Sequence, residues 1–284
     1  MSHRSLEELQ QKARWVRRTV LEMAVSAKSG HVTSAFSQTE LLVALYYGGI
    51  LRVRPEQPDW PDRDRFILSK GQGGIGLYPI LADLGFFPRE ELDRFTQRGS
   101  KLGVHCEWHV PGIETVSGSL GHGLPVATGM AEAARRDGKD HLVVLVTGDA
   151  ELYEGSNWEA AIVAGARRYD NLIVIVDRNG QGVLGHTDPR DDAYMEWSSD
   201  GPALEPLAAK FAAFGWEAKE IDGHDFRQIF DSLDGIRDRR GRGPLAVVAR
   251  TVKGKGVPFL ENQRRWHYRV PEGEELEIAR RALA

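Results

Sequence analysis

Two runs of six residues, Leu142–Thr147 (LVVLVT) and Leu172–Asp177 (LIVIVD), constrain this chain more than anything else in it. A strand with one wet face alternates apolar and polar side chains, and these do not alternate. They are too short for a buried helix and rich in β-branched residues, so each reads as a strand covered on both faces. Strands and helices alternate around them. Arg65–Ser69 is a short strand, followed by helices over Pro125–Arg136 and Ser156–Arg167. Beyond Leu172–Asp177 come a helix over Leu204–Phe214, a strand over Trp216–Ile221, a helix over Asp225–Ile236 and a strand over Pro244–Ala249. Strands separated by helices of this length make βαβ units and a parallel sheet. The expected fold is α/β, a doubly wound, mainly parallel sheet flanked by helices, with an N-terminal helical extension. In that extension Ser5-x-x-Glu8 reads as a capping box opening a helix to about Lys28, and Ser37-x-x-Glu40 as a second one. No linker, charge block or repeat divides the chain, so residues 1–284 read as a single domain.

Composition narrows the function classes. Lys and Arg number 37 against 41 Asp and Glu, giving a net charge of −4 and no electrostatic footprint for nucleic acid. No apolar run approaches the ~20 residues that cross a bilayer, and the charged N-terminus lacks a signal-peptide core. One cysteine, Cys106, excludes an internal disulfide framework and a Cys-rich zinc site. The expectation is a soluble, cytoplasmic protein with neither nucleic acid nor membrane as partner. The 31 glycines fall in short clusters after apolar runs, where backbone can approach a ligand closely. Ligands of doubly wound sheets bind outside the carboxyl ends of the strands. The candidate loops are therefore Ser69–Gly74, Gly148–Gly155, Arg178–Thr187, Gly223–Asp225 and Thr251–Gly256.

Asp149 and Asn179 each follow one of the two buried strands. A carboxylate and an amide at neighbouring strand ends offer the hard oxygens that Mg²⁺ or Ca²⁺ takes, completed by carbonyls, waters and phosphate oxygens. Helix N-capping is the plainer explanation for either residue alone. The context reaches further. Gly148-Asp149-Ala150-Glu151, Glu154-Gly155, Trp158-Glu159-Ala160 and Asn179 together resemble the thiamine-diphosphate motif of transketolases. In order along the chain, Ser29-Gly30-His31-Val32-Thr33-Ser34, Asp64–Gly71, Gly118-Ser119-Leu120-Gly121, Asp222-Gly223-His224-Asp225, Lys253-Gly254-Lys255-Gly256 and Trp266-His267 also resemble that family.

The resemblance covers about residues 5–270 and implies only the first, diphosphate-binding domain of a transketolase. The pyrimidine-binding and C-terminal domains are then expected on a separate C-terminal transketolase subunit, in an α2β2 heterotetramer. The implied cofactors are thiamine diphosphate and Mg²⁺ (or Ca²⁺), the ion held by Asp149, Asn179 and the carbonyl of Gln181. Gly118, Leu120, Gly148, Ala150, Glu151, Lys253 and His122 are expected near the cofactor. His31, His105, His267 and Gln72 are expected to face the sugar substrate, a sugar phosphate or related small molecule, and Glu154 to lie at a subunit interface. Imidazoles suit proton movement at sugar hydroxyls near neutral pH. A Cys106–His105 nucleophilic pair is not expected, because adjacent residues of an extended chain point to opposite sides. Gln72, His122, Ala150 and Tyr268 depart from the family pattern, and glutamine keeps a hydrogen bond while losing an acid–base group. Two other readings fit parts of the sequence: a pyruvate-decarboxylating carboligase resembling 1-deoxyxylulose-5-phosphate synthase, and a non-catalytic cofactor-binding regulatory paralogue.

Overall fold

A computed structural model describes residues 4–183, 185–187 and 204–284. Within the described residues five parallel strands form one sheet: β1 (Arg65–Leu68), β2 (Val143–Gly148), β3 (Leu172–Arg178), β4 (Glu217–Asp222) and β5 (Leu245–Arg250). Their order is β1-β2-β3-β5-β4. The ladder sets the strand ends. Gly148 pairs with Asp177, and Arg178 with Arg250, so β2 and β3 run one residue beyond the apolar runs.

Side chains of the central strands alternate between two cores. Val144, Val146, Ile173, Ile175 and Val247 join one core with α1 (Leu6–Ala27), α2 (Val32–Ser37), α3 (Thr39–Tyr47), α4 (Gly74–Leu84), α8 (Phe226–Leu233) and α9 (Gly273–Ala282). Val143, Leu145, Leu172, Val174 and Val248 join the other with α5 (Gly123–Arg136), α6 (Gly155–Arg167) and α7 (Leu207–Ala213). The N-terminal helices are thus not an appendage on the sheet; they form most of the layer that covers one of its faces. From β4 to β5 the chain steps back across the sheet, and a right-handed crossover then requires α8 on the face opposite α5–α7, where it lies.

Local chemistry explains most helix ends. Ser5 caps α1, accepting from the Glu8 N–H at 3.2 Å while the Glu8 carboxylate accepts from the Ser5 N–H at 2.6 Å, which is the expected capping box. α5 opens two residues before the expected Pro125, which sits in the first turn where its missing N–H costs nothing. α7 is confined to Leu207–Ala213, with Pro206 at its N-cap. α8 stops at Leu233, because Asp234 is extended and Gly235 is left-handed at φ +64°.

The second expected capping box is not formed. Ser37 ends α2, and its hydroxyl donates to the Ser34 carbonyl and to Asp177. Glu40 instead receives a fork of two 2.7 Å hydrogen bonds from Arg17. Among the described residues no helix is long and apolar enough to cross a membrane.

Candidate functional site

The chain leaves β1 and β5 toward one helical layer and β2 and β3 toward the other. A crevice must open where neighbouring strands part company this way. It is a cavity of about 630 Å³. The loops after β1, β2, β3 and β5 line it with Lys70 and Gln72, with Gly148–Glu151, Tyr153 and Glu154, with Asn179, Gln181, His186 and Thr187, and with Lys253. His31, His105, Gly118, Leu120 and His267 line it too. The loop Gly223–Asp225 does not reach it, and His224 lines a shallow groove at the sheet edge instead. Leu184, in the loop after β3, lies outside the described residues.

His122 is a correction. The sequence places it near a cofactor, but it is exposed at the N-cap of α5 and outside the cavity wall. Gly121 before it is left-handed at φ +85° and its N–H donates to Glu151 at 3.0 Å, fixing the turn that carries His122 away.

One buried carboxylate organises the glycine loops. Glu151 accepts hydrogen bonds from the Ser69 hydroxyl, the Gly121 N–H, the Thr147 hydroxyl at 2.7 Å and the Gly148 N–H at 3.3 Å. Such saturation is what lets a carboxylate stay buried. Glu151 therefore fixes the cavity wall with its side chain already committed to protein donors. The added Cβ of an alanine at Gly118 would meet no protein atom within 4 Å, so the open space there belongs to the cavity.

At the base, Asp149 is buried and accepts from the Gly180 N–H at 2.7 Å, the Thr187 hydroxyl at 2.8 Å and the Ala150 N–H at 2.9 Å. Burial raises its pKa above the ordinary carboxylate value, against the pull of those donors. Asn179 beside it accepts from the Gln181 N–H at 3.2 Å. Both polar atoms of the Gln181 side chain are buried without a partner. Among the described residues no three His, Cys, Asp or Glu side chains cluster to hold a metal unaided. The donor set is one carboxylate, one amide and one backbone carbonyl. These hard oxygens fit Mg²⁺ or Ca²⁺ brought with an anionic ligand, since such ions usually complete their shells with phosphate oxygens and water.

Beneath them lies a charge pair that sequence reasoning did not assign. Lys70 donates to Asp177, and the Thr251 and Ser37 hydroxyls donate to the same carboxylate; Lys70 and Asp177 are both fully buried. Burial pushes the Asp177 pKa up, but Lys70 and the hydroxyls outweigh it and hold the carboxyl below its usual range.

Three imidazoles converge on the opposite wall. The His31 ring lies 5.4 Å from that of His267 and 5.9 Å from that of His105, centroid to centroid. The Lys253 ammonium, almost fully buried, lies 2.9 Å from His267 Nδ1 and 3.4 Å from the Gln181 carbonyl. An ammonium only donates, so Nδ1 accepts and the His267 proton sits on Nε2. Burial first, then Lys70, lowers the Lys253 pKa to about 8. Burial, His267, His105 and the lysines bring His31 down to about 3; burial and the lysines bring His267 to about 4. Both rings are neutral at physiological pH, so they can accept a proton or donate a neutral N–H.

A titration follows by imidazole ¹⁵N NMR of the ligand-free chain. His31 and His267 are expected to stay neutral from pH 8 to pH 5, and a midpoint near 6.5 for either would contradict this arrangement. Unfolded histidine takes its proton near 6.5. The unfolded chain therefore binds more protons between about pH 6.5 and 4, and these two groups lower stability as pH falls through that window.

Cys106 is buried, burial pushes its thiol up to about 12, and it offers no nucleophile. The stretch around His105 and Cys106 is irregular rather than a strand, although His105 faces the cavity and Cys106 the core. Tyr153 and Val183, about half and two thirds exposed, line the cavity as well, as does the exposed Glu154.

Comparison with known proteins agrees with this geometry. Residues 9–284 match the family model described as transketolase, thiamine diphosphate binding domain. An apulose-4-phosphate transketolase subunit of Actinobacillus succinogenes is 40% identical, over 97% of this chain and 95% of that one. A 6-deoxy-6-sulfo-D-fructose transketolase subunit of a Clostridium species is 38% identical, over 90% and 89%. The crystal structure of transketolase from Campylobacter jejuni superposes with a TM-score of 0.88 at 29% identity, over 99% of this chain and 43% of that chain.

Proposed function

The chain belongs to the transketolase family, as its thiamine-diphosphate-binding unit, and from that premise we propose that it is the N-terminal subunit of a split transketolase. That enzyme transfers a two-carbon ketol unit from a ketose or ketose phosphate to an aldehyde acceptor. The observation that carries this reading is one cavity in which oxygen donors at the ends of β2 and β3 share the lining with the imidazoles of His31, His105 and His267. The chemistry that thiamine diphosphate supplies when bound is a carbanion-stabilising centre beside a carbonyl.

The chain's own residues divide the remaining work. Asp149, Asn179 and the Gln181 carbonyl would hold Mg²⁺, with Gly118, Leu120, Gly148 and Ala150 admitting the diphosphate and Glu151 fixing the loops that carry them. Lys253 adds a positive charge to the cavity lining. His31, His105 and His267 would orient sugar hydroxyls and move protons at them. Gln72 offers a hydrogen bond that does not titrate, which sets the donor and acceptor preferences apart from those of a site with an imidazole at that position. A cytoplasmic location belongs to the same proposal, supported by a lone buried cysteine.

The rest of the active site would come from a partner. The two subunit relatives named above are matched over nearly their whole length, whereas the transketolase of Homo sapiens, 32% identical, is matched over only 40% of its own. This supports residues 1–284 as a single diphosphate-binding domain with the pyrimidine-binding domain on a separate chain. An assembly of two of each, with Glu154 at the boundary, belongs to the same proposal. The names of those relatives favour ketol transfer over pyruvate decarboxylation. The test is turnover of ketose phosphates with an aldose acceptor, Mg²⁺ and thiamine diphosphate. The purified chain alone is expected to show none, and addition of the partner subunit to restore it. Robust turnover by the chain alone, free of host transketolase, would overturn the split-enzyme reading.

A further inference from the structure

One motif singled out in the sequence, Asp222-Gly223-His224-Asp225, stays outside the cavity, yet both ring nitrogens of its histidine are engaged by the protein. His224 follows β4. Its Nδ1 lies 2.8 Å from Glu40 Oε2 on α3, and its Nε2 accepts the Val252 N–H at 2.8 Å. A backbone N–H can only donate, so Nε2 is unprotonated and the ring proton sits on Nδ1, donated to Glu40. Glu40 is held in turn by the fork from Arg17 on α1, and Arg17 also donates to the Phe36 carbonyl at 2.9 Å. Arg17 and Glu40 are buried.

The residue after Val252 is Lys253. Around it the Thr251 N–H donates to the Arg178 carbonyl and the Gly254 N–H to the Thr33 carbonyl, both at 3.0 Å, the Asn262 N–H donates to the Lys253 carbonyl at 2.9 Å, and the Thr251 hydroxyl donates to Asp177. Val252 lies just beyond the end of β5, where no strand residue remains to take its N–H, and the imidazole takes it instead. Among the described residues the hydrogen-bond partners of the Lys253 ammonium are His267 and the Gln181 carbonyl, while the Asp149 and Asp177 carboxylates act on it through space. Its position over the cavity therefore depends on where the backbone sets it.

We propose that His224 is a positioning residue for Lys253: the relay Arg17–Glu40–His224 fixes the Val252 N–H and so holds the ammonium over the cofactor's diphosphate. This deepens the reading given above and rests on Lys253 facing the cofactor.

The test measures the dissociation constant for thiamine diphosphate with Mg²⁺ by calorimetry, in the full chain assembled with its partner, with thermal unfolding recorded separately. His224→Leu removes both hydrogen bonds and is expected to weaken the cofactor about tenfold, the scale of losing a supporting contact behind a ligand. His224→Gln can place its amide oxygen where Nε2 lies and accept from Val252, so it is expected to stay within about threefold of wild type. Both disturb the Glu40 pairing, so a purely structural role would move their unfolding temperatures together without separating their affinities. Should the leucine variant not fold, His224→Asn, which keeps a donor toward Glu40 but cannot reach Val252, takes its place with the same expected loss. Equal affinities for the glutamine and leucine (or asparagine) variants would overturn the proposal. Lys253→Met separates the two levels. If it binds cofactor like wild type, the placement of Lys253 at the cofactor fails and the relay has nothing to position. If it binds weakly while His224→Leu (or His224→Asn) does not, only the relay fails.

Discussion

Asp149→Ala is expected to abolish measurable binding of thiamine diphosphate with Mg²⁺. Asp149 is the one carboxylate in the proposed oxygen set, and an alanine leaves an amide and a carbonyl to hold a divalent cation. Loss of an outer-shell partner already costs a metal site about 10–100-fold, and loss of the only anionic protein ligand must cost more. The substitution also strips acceptors from the Gly180 N–H and the Thr187 hydroxyl, slackening the loop after β3. Calorimetric titration checks the outcome, with far-ultraviolet circular dichroism to show that the sheet persists. Wild-type affinity in the variant would remove Asp149 from the site.

The largest stability effect is expected one layer deeper. Asp177→Ala leaves the fully buried Lys70 ammonium without its counter-charge. Breaking a buried pair from one side costs about 3–5 kcal/mol, because the remaining charge keeps its desolvation cost and loses its partner. The Ser37 and Thr251 hydroxyls lose their acceptor too. Removing both charges is different: Lys70→Met with Asp177→Leu fills similar volume without a stranded ion and is expected to recover most of the loss. Urea unfolding of the two single variants and the double variant reads this directly. The sign with pH is fixed as well. Asp177 has a depressed native pKa, so its contribution is present above the ordinary carboxylate value and lost only as pH falls below it. Between pH 6 and 8 the deficit of Asp177→Ala should not change. A double variant no more stable than Asp177→Ala would show that the pair is not what Lys70 requires.

The two apolar runs made the sheet readable, because burial on both faces leaves a continuous signal that no other element imitates. The cavity wall was readable for the same reason: glycine and polar residues just past such strands have few structural uses. What escaped was pairing at a distance. Asp177 ends an apolar run and Lys70 sits in a glycine cluster, yet a sequence separation of 107 hides their contact. Ser37-x-x-Glu40 misled because capping chemistry is local, whereas Glu40 answers to Arg17 and His224 on other elements. His122 misled because the side-chain direction depends on the left-handed turn at Gly121, which sequence spacing does not encode.

The Glu151 carboxylate ties the loop after β1, the turn before α5 and the end of β2 to a single anchor. Three segments that share one anchor are coupled in position, since a shift of the carboxylate is transmitted to all of them. A drifting substitution in any of them is felt in the other two. Change of substrate preference is therefore easier to acquire on the opposite wall, where His31, His105 and His267 stand on separate stretches of chain and can be exchanged one at a time.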